Sequence, residues 1–462
     1  FRKAGTQMAT INRKATEVHP VPRTHEGGIA FRLTPEQELT RSVLACLLWE
    51  DSFYEDGEEI ASRITGLVSQ VARRVGGDLF LAELVSKARN KYYMRHAPLL
   101  MVAAMAKAGI PGLLQSETVA AAVQRADELA ELLAIYQKIN NGKLKPLSNP
   151  LRRGLALAFP KFDAYQLAKY NRAREITLRD VMFLTHPKPD STQQKQIWER
   201  LIAGTLEAPD TWEVNISALG KDKAARKPEW ERMLGEGRVT GLALLRNLRN
   251  MREDGVDSNA VIAAIKRDRF TKVLPFRFIS AAKYAPELEP ELEAAMLRAI
   301  QNEELIPGRT AVLVDVSGSM IAPISAKSQV QRWEAATGLA ILAREVFVDV
   351  NVIAFGSDAA IIPARHGFAL RDAIAKSNVG GGTNIGKAVA YALNNVDLRR
   401  LIVITDEQSH DNVVAPDGVK SYMINVAAYK NGVGYGKWTH MDGFSEATVN
   451  YIREVERWSA NQ

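Results

Sequence analysis

From Thr34 to about residue 302 the apolar residues recur at helical spacing in one short run after another, and strand-like alternation is nearly absent. The pattern predicts helices near 35–49, 57–74, 79–95, 97–108, 117–138, 150–158, 161–170, 178–184, 191–203, 208–219, 228–234, 238–253, 258–267, 275–284 and 288–302. Thr34-Pro35-Glu36-Gln37 is a good opening for the first: a hydroxyl cap, proline at the first helical position, glutamine at the third. A short amphipathic helix cannot bury its apolar stripe alone, and no long heptad run links these segments. Stacked helix pairs of the solenoid type meet both conditions; a globular all-α bundle is the alternative. No strict sequence period is visible, so any repeat must be judged by structure.

After Ile306-Pro307-Gly308 the texture changes. Apolar runs at 310–314, 346–355, 400–405 and 421–428 alternate with helical stretches near 330–345, 368–376, 384–395 and 446–458. That alternation predicts a parallel, doubly wound sheet. The expected division is a helical domain over residues 20–307 and an α/β domain over 308–462. Residues 8–32 read as a turn-rich arm, and Phe1 to Gln7, which precede the first Met, are set aside.

The first apolar run, Thr310 to Val314, ends in Asp315, and Ser317 and Ser319 follow at alternate positions. Ligands of open α/β sheets sit outside the carboxyl ends of the strands. A carboxylate and two hydroxyls in a tight glycine-containing loop form an oxygen-only set suited to a hard cation such as Mg²⁺. Gly380-Gly-Gly-Thr383 precedes a helical stretch and can bring a third hydroxyl, and the run from Leu401 ends in a second carboxylate, Asp406. The competing reading is that these residues merely cap helices and turns. Together, Asp315, Ser317, Ser319, Thr383 and Asp406 resemble the metal-ion-dependent adhesion site of von Willebrand factor A domains.

Charge is unevenly divided. Residues 308–462 hold 15 Lys/Arg and 15 Asp/Glu, leaving 45 and 38 in residues 1–307, so the whole net charge of +7 belongs to the helical part. Lys138, Lys143, Lys145, Arg152, Arg153, Lys161, Lys169, Arg172 and Arg174 are opposed only by Asp163 and Glu175. Between Leu84 and Ser116, Lys87, Arg89, Lys91, Arg95 and Lys107 have no acid among them. A third stretch sets Lys266, Arg267, Arg269, Lys272, Arg277 and Lys283 against Asp268 alone. Such stretches suit phosphate contacts, although many charge runs are ordinary solvated helix faces. The interleaved Phe159, Phe162, Tyr165 and Tyr170 read as core rather than as base-stacking platforms. No helix-turn-helix or zinc-finger signature is present, which favours RNA over duplex DNA. Cys46 is the only cysteine, so an intramolecular disulfide and a cysteine-based zinc site are excluded, and a cytoplasmic setting is expected. No signal-peptide pattern or membrane-spanning apolar run is seen.

Several long segments then carry a resemblance. Lys91-Tyr-Tyr-Met-Arg95-His-Ala-Pro98, Leu178-Arg-Asp-Val-Met-Phe-Leu-Thr-His186-Pro-Lys188-Pro189, Gly241 to Met251, Leu274 to Phe278 and Leu44 to Gly57 resemble TROVE-domain proteins. With the von Willebrand-type domain behind them, the chain is similar to the Ro autoantigen family in its compact bacterial form. The resemblance implies a fold of α plus α/β class: a ring of HEAT-like helical repeats closed by a doubly wound parallel-sheet von Willebrand factor A domain. It implies binding of Y RNA on the basic outer surface, and of single-stranded ends of misfolded non-coding RNA in a central hole. It also implies partnership with an exoribonuclease such as polynucleotide phosphorylase. Lys169 and His186 match family Y-RNA contacts, while the family's arginine four residues after that lysine falls on Ala173, between Arg172 and Arg174. Arg174, Arg179 and Lys188 would let a phosphate backbone run past His186.

The resulting expectation is a non-catalytic RNA-binding scaffold in RNA quality control, sufficient as a monomer if the ring closes within one chain. The alternative is a metal-dependent, protein-binding von Willebrand module with incidental RNA affinity. An enzyme is not expected. The oxygen site lacks the carboxylates of a two-metal nuclease, Ser317 is in no G-x-S-x-G elbow, and no P-loop is present.

Overall fold

The computed structural model describes residues 34–45, 57–91, 94–171, 174–271, 273, 275–301, 304–324, 330–406, 409–411, 413–426, 437–442 and 447–460. The amino-terminal arm, Cys46, Arg172 and Lys272 therefore lie outside the described residues.

Sixteen α-helices precede the sheet among the described residues. They are α1 (Pro35–Ala45), α2 (Gly57–Val71), α3 (Gly77–Ser86), α4 (His96–Ala108), α5 (Ser116–Ala122), α6 (Ala126–Ile139), α7 (Asn149–Ala158) and α8 (Ala164–Tyr170). After them come α9 (Leu178–Thr185), α10 (Thr192–Ala203), α11 (Trp212–Ala218), α12 (Lys223–Gly235), α13 (Gly241–Glu253), α14 (Ser258–Arg267), α15 (Pro275–Tyr284) and α16 (Glu289–Ile300). Thr34 opens α1 as its sequence predicts: Gln37 N donates to Thr34 Oγ1 (3.2 Å) and Thr34 N to Gln37 Oε1 (3.1 Å).

Several boundaries differ from the sequence expectation. The helix expected over 79–95 is α3 followed by a single π-helical turn, Lys87–Lys91, and that expected over 208–219 is the shorter α11. Two further differences have a visible cause. The single helix expected over 117–138 is two, because Val123 and Arg125 are extended and Glu128 Oε2 accepts from Gln124 N (2.8 Å) and Arg125 N (3.0 Å). The helix expected at 228–234 begins five residues earlier, at Lys223, where Asp222 accepts from Ala225 N (3.2 Å); Pro228 is carried inside it.

The α/β domain is one six-stranded sheet in the order β3-β2-β1-β4-β5-β6. Its strands are β1 (Ile306–Asp315), β2 (Phe347–Phe355), β3 (Ala359–Ile361), β4 (Arg400–Thr405), β5 (Lys420–Asn425) and β6 (Thr439–Asp442). All neighbours are parallel except the short edge strand β3, which turns back on β2. The helices are α17 (Arg332–Val346), α18 (Gly367–Ala375), α19 (Ile385–Asn395) and α20 (Ala447–Ala460). Val312 and Val314 of β1 join the large core shared with α17, while Ala311 and Leu313 face a second core with Ile385, Ala388 and Ala392 of α19. Burial on both faces is why β1 reads as a continuous apolar run rather than an alternating one. The edge strands β3 and β6 carry no such run, and the sequence pattern does not reveal them.

The helices stack with their second neighbours: α2 with α4 and α4 with α6 in one layer, α3 with α5, α5 with α7 and α7 with α9 in the other. The pattern resumes with α12, α14 and α16, and with α13, α15 and α17. Side chains record the period that residue identity hides. Arg298 in α16 donates to Ile265 O at the end of α14 (3.1 Å), and Arg267, ending α14, donates to Leu234 O near the end of α12. Arg89 Nε likewise meets Ala122 O (3.0 Å), Arg252 meets Tyr284 O (3.1 Å) and Lys107 meets Ile139 O. Every one of these contacts spans 32 or 33 residues, the length of one helical pair. A cation against terminal helix carbonyls answers both their unmet hydrogen bonds and the helix dipole.

Both ends of the helical array dock on the α/β domain. At one end α15 packs on α17 and α16 on α18; at the other, α1 packs on α20 and β6. Glu454 of α20 also pairs with Lys87 (3.7 Å) and Lys91 (4.0 Å). The chain closes on itself through its last helix.

Candidate nucleic-acid interface and metal site

In the sheet order, β1 connects to one side and β4 lies on the other, so the switch point falls between them, at their carboxyl ends. Three loops converge there. Asp315, at the end of β1, is fully buried; its Oδ1 accepts from Ser317 N (2.9 Å) and its Oδ2 from Thr405 Oγ1 (2.6 Å). Ser317 and Ser319 place their hydroxyls 3.2 Å apart. The glycine loop that carries Thr383 is drawn in by Gly318 N donating to Gly381 O (3.1 Å) and Gly382 N donating to Ser357 Oγ (3.0 Å). Glycine is required opposite it: a Cβ on Gly356 would lie 2.1 Å from Gly380 O. Thr383 is buried, and its carbonyl accepts from His410 N (2.9 Å). Asp406 follows β4, also fully buried.

The structure thus brings four of the five predicted oxygen ligands onto two loops joined by backbone hydrogen bonds, with Asp406 at the adjacent strand end. Burial pushes the Asp315 carboxyl up to about 6, against the opposing hydrogen bonds from Ser317 and Thr405, and the nearby Asp406 charge adds to the rise. Asp406 Oδ1 is buried with no hydrogen-bond partner among the described residues. Two carboxylates, three hydroxyls and an unanswered buried oxygen fit a hard divalent cation such as Mg²⁺. Sequence reasoning missed Arg332, whose guanidinium donates to Asp406 Oδ2 (2.9 Å) from 74 residues away, and Thr405, whose place just before Asp406 was the available signal.

The basic positions separate into groups. Lys143 and Lys145, in the loop after α6, and Arg152 and Arg153, on α7, are exposed, and none has an acidic partner among the described residues. Arg174 and Lys188 are exposed and likewise without one. Gln137 joins these segments, donating to Gly142 O (3.2 Å) beside Lys143 and to Glu175 Oε1 (2.7 Å) beside Arg174. His186 ends α9 in the left-handed region, φ 50° and ψ 57°, with its ring exposed. Non-glycine residues adopt that conformation at a cost, and such strain gathers at functional positions.

Other predicted contacts are already engaged with groups of the chain itself. Lys161 donates to Ala120 O and Val123 O (3.1 Å), closing α5, and its burial there lowers its pKa. Lys138 pairs with Glu58 (3.2 Å). Lys169 lies over the Tyr170 ring at 5.8 Å, and Arg125 lies over the same ring at 4.9 Å.

Phe159 and Phe162 are core residues, but Tyr165 is partly exposed. Phe183, absent from the predicted set, is 50 % exposed with the Arg179 guanidinium 5.5 Å over its ring. Its apolar character within a helical run conceals that exposure.

In the stretch from Leu84 to Ser116 every cation is engaged. Arg89 is bidentate to buried Glu128 (2.9 and 2.9 Å), and Arg95 bonds Asp127 (2.6 Å) and Glu131 (2.8 Å). Lys87 and Lys91 meet Glu454, and Lys107 caps α6. Reading this stretch as a phosphate-binding surface is therefore corrected. In the third stretch, Lys266 and Arg269 are exposed, whereas Lys283 pairs with Glu334 (2.5 Å) and Arg267 caps α12. No helix among the described residues is long and apolar enough to cross a membrane.

Comparison with known proteins agrees with this architecture. The TROVE domain family model matches residues 42–205 and 190–338, and the von Willebrand factor type A domain model matches residues 310–408. The crystal structure of the Deinococcus radiodurans RO (RSR) protein is similar, with a TM-score of 0.65 over 91% of this chain and 98% of that one. At 20% identity that likeness concerns the fold. Telomerase protein component 1 of Rattus norvegicus and that of Mus musculus are each 28% identical over 106 residues, covering 21% of this chain. The chain spans about 4% of the length of those curated relatives. Because the TROVE match extends over more than half of its residues, the chain belongs to the TROVE-domain family of Ro proteins, which are RNA-binding proteins rather than known enzymes.

Proposed function

We propose that the chain is a non-catalytic RNA-binding scaffold. In this reading it holds Y RNA on its basic outer surface, takes single-stranded ends of misfolded non-coding RNA, and acts beside an exoribonuclease in cytoplasmic RNA quality control. The observation that carries it is the group of exposed cations without acidic partners among the described residues: Lys143, Lys145, Arg152, Arg153, Arg174 and Lys188. A phosphate backbone is the partner that such a group lacks, since each neutralised phosphate releases counterions. His186 caps the end of α9 and Lys169 lies on the preceding helix α8, and the exposed Arg179–Phe183 pair offers a face on which an unpaired base can stack. Arg172 belongs to the same proposed surface by sequence.

The test is to crosslink the protein in its natural cell, recover it and sequence the RNA that accompanies it. A discrete, structured small RNA that is lost on changing Lys169 and His186 is the expected result. Background RNA alone, unaffected by those changes, would overturn the reading. In vitro, engaging about six phosphates of a single strand gives a log–log salt slope of roughly −4. One protein then has to hold RNA and a nuclease at once, and the closed chain makes a monomer sufficient for that.

The convergence of Asp315, Ser317, Ser319, Thr383 and Asp406 favours a second, compatible role for the von Willebrand domain as a metal-dependent protein-binding module. Those five residues would hold the ion, which supplies an open coordination position for a partner's carboxylate. Changing Asp315 or Thr383 should then abolish partner binding and leave RNA affinity unchanged.

A further inference from the structure

The charge of Asp406 is met by a side chain of the same domain. Arg332 Nη1 donates to Asp406 Oδ2 at 2.9 Å and to Ser319 O at 3.4 Å, so one guanidinium bridges the loop after β1 and the end of β4. Its side chain is 12% exposed and the carboxylate is fully buried, so the contact is largely withdrawn from water. Arg332 is the first residue of α17, where the helix dipole disfavours a cation, so the dipole does not account for its place there. Its backbone is fixed from both sides. Arg332 N donates to Ala322 O (3.0 Å), and the first turn is tied by Gln331 N donating to Glu334 Oε2 (2.9 Å).

We propose that Arg332 is a built-in counter-cation of this site: it holds Asp406 when no metal is bound, and an entering divalent ion must displace it. This rests on the metal-site reading of the five oxygen ligands. A guanidinium and a divalent ion at one buried carboxylate repel each other strongly, because little water screens them. The two occupants therefore exclude each other. Two consequences follow for the chain: its loops keep their arrangement without metal, and its metal affinity is held down by the arginine.

The test uses the full chain, Mn²⁺ as probe and electron paramagnetic resonance of the free ion, together with thermal unfolding after chelation. Arg332→Gln should bind Mn²⁺ at least about tenfold more tightly than the parent. It should also unfold at lower temperature when metal-free and regain that loss on adding Mn²⁺. Arg332→Lys, which keeps the charge, should stay close to the parent in affinity. Equal affinity of the parent and Arg332→Gln, or weaker binding by Arg332→Gln, overturns the proposal while the metal site stands. Absence of Mn²⁺ binding in the parent and in Arg332→Gln alike removes the metal site itself, and the proposal with it. If Arg332→Gln does not fold, the pair Arg332→Gln with Asp406→Asn should fold by removing both charges; a double variant that also fails overturns the counter-cation role.

Discussion

Two stretches of the helical part look alike as sequence and behave oppositely in the fold. From Leu84 to Ser116, five cations stand without a single acid; from Lys138 to Lys161, six do. In the first, the neutralising groups arrive from one helical pair further on, Asp127, Glu128 and Glu131, and from Glu454 at the far end of the chain. In the second, Lys143, Lys145, Arg152 and Arg153 meet no acid at all among the described residues. The difference is a property of the stacking period. A repeat of 32 or 33 residues sets side chains of one pair against those of the next, so local charge balance does not report which cations are neutralised.

That contrast can be broken at either end. The largest effect is expected for Arg89→Met, which leaves Glu128 charged and fully buried; losing one partner of such a pair costs about 3–5 kcal/mol. Chemical denaturation should show it, and RNA affinity of the folded fraction should stay unchanged if the first stretch is structural. Next comes the combined change of Lys143, Lys145, Arg152 and Arg153 to Gln. Removing four phosphate contacts should lower single-strand affinity about a hundredfold at 0.1 M salt and flatten the log–log salt slope by about 3. Filter binding across a salt series checks this, with the unfolding midpoint as the control that should not move. An unchanged slope would erase the distinction between the two stretches.

Smaller effects sharpen it. Arg267→Met removes a cation from the end of α12 and should cost about 1 kcal/mol of stability, with no effect on RNA. His186→Gly should do the reverse. Relieving a left-handed non-glycine backbone is worth up to about 1 kcal/mol, so the melting temperature should hold or rise while Y-RNA affinity falls. A loss of stability at His186 with unchanged affinity would make it a packing residue.

The clustering of side-chain oxygens at the strand ends was more legible than the grouping of exposed cations, and the reason is local. Asp315, Ser317 and Ser319 lie within five residues at one strand end, and a strand end in a parallel sheet already specifies where side chains converge. The Thr34-Pro35 helix start follows from a cap, which is also local. The split at Val123–Arg125 was not legible, because Glu128 breaks the helix by capping backward, while the apolar spacing runs straight through. Phe183 could not be told from a core residue, since α9 presents it outward without interrupting the helical pattern.

What the sequence by itself determined is most of the elements and a grouping of side-chain oxygens at one strand end: helices by their 3.6-residue spacing, a parallel sheet by its two-sided apolar runs, and the oxygens by their spacing in loops. Only the tertiary structure decided which charges remain for a partner. Arg89 finding Glu128, Lys87 finding Glu454 and Arg332 finding Asp406 are encounters across 39 residues or more, set by helix stacking and chain closure. A charge's energy depends on what lies within a few ångströms of it, and in this fold those neighbours come from the next repeat or the far end of the chain.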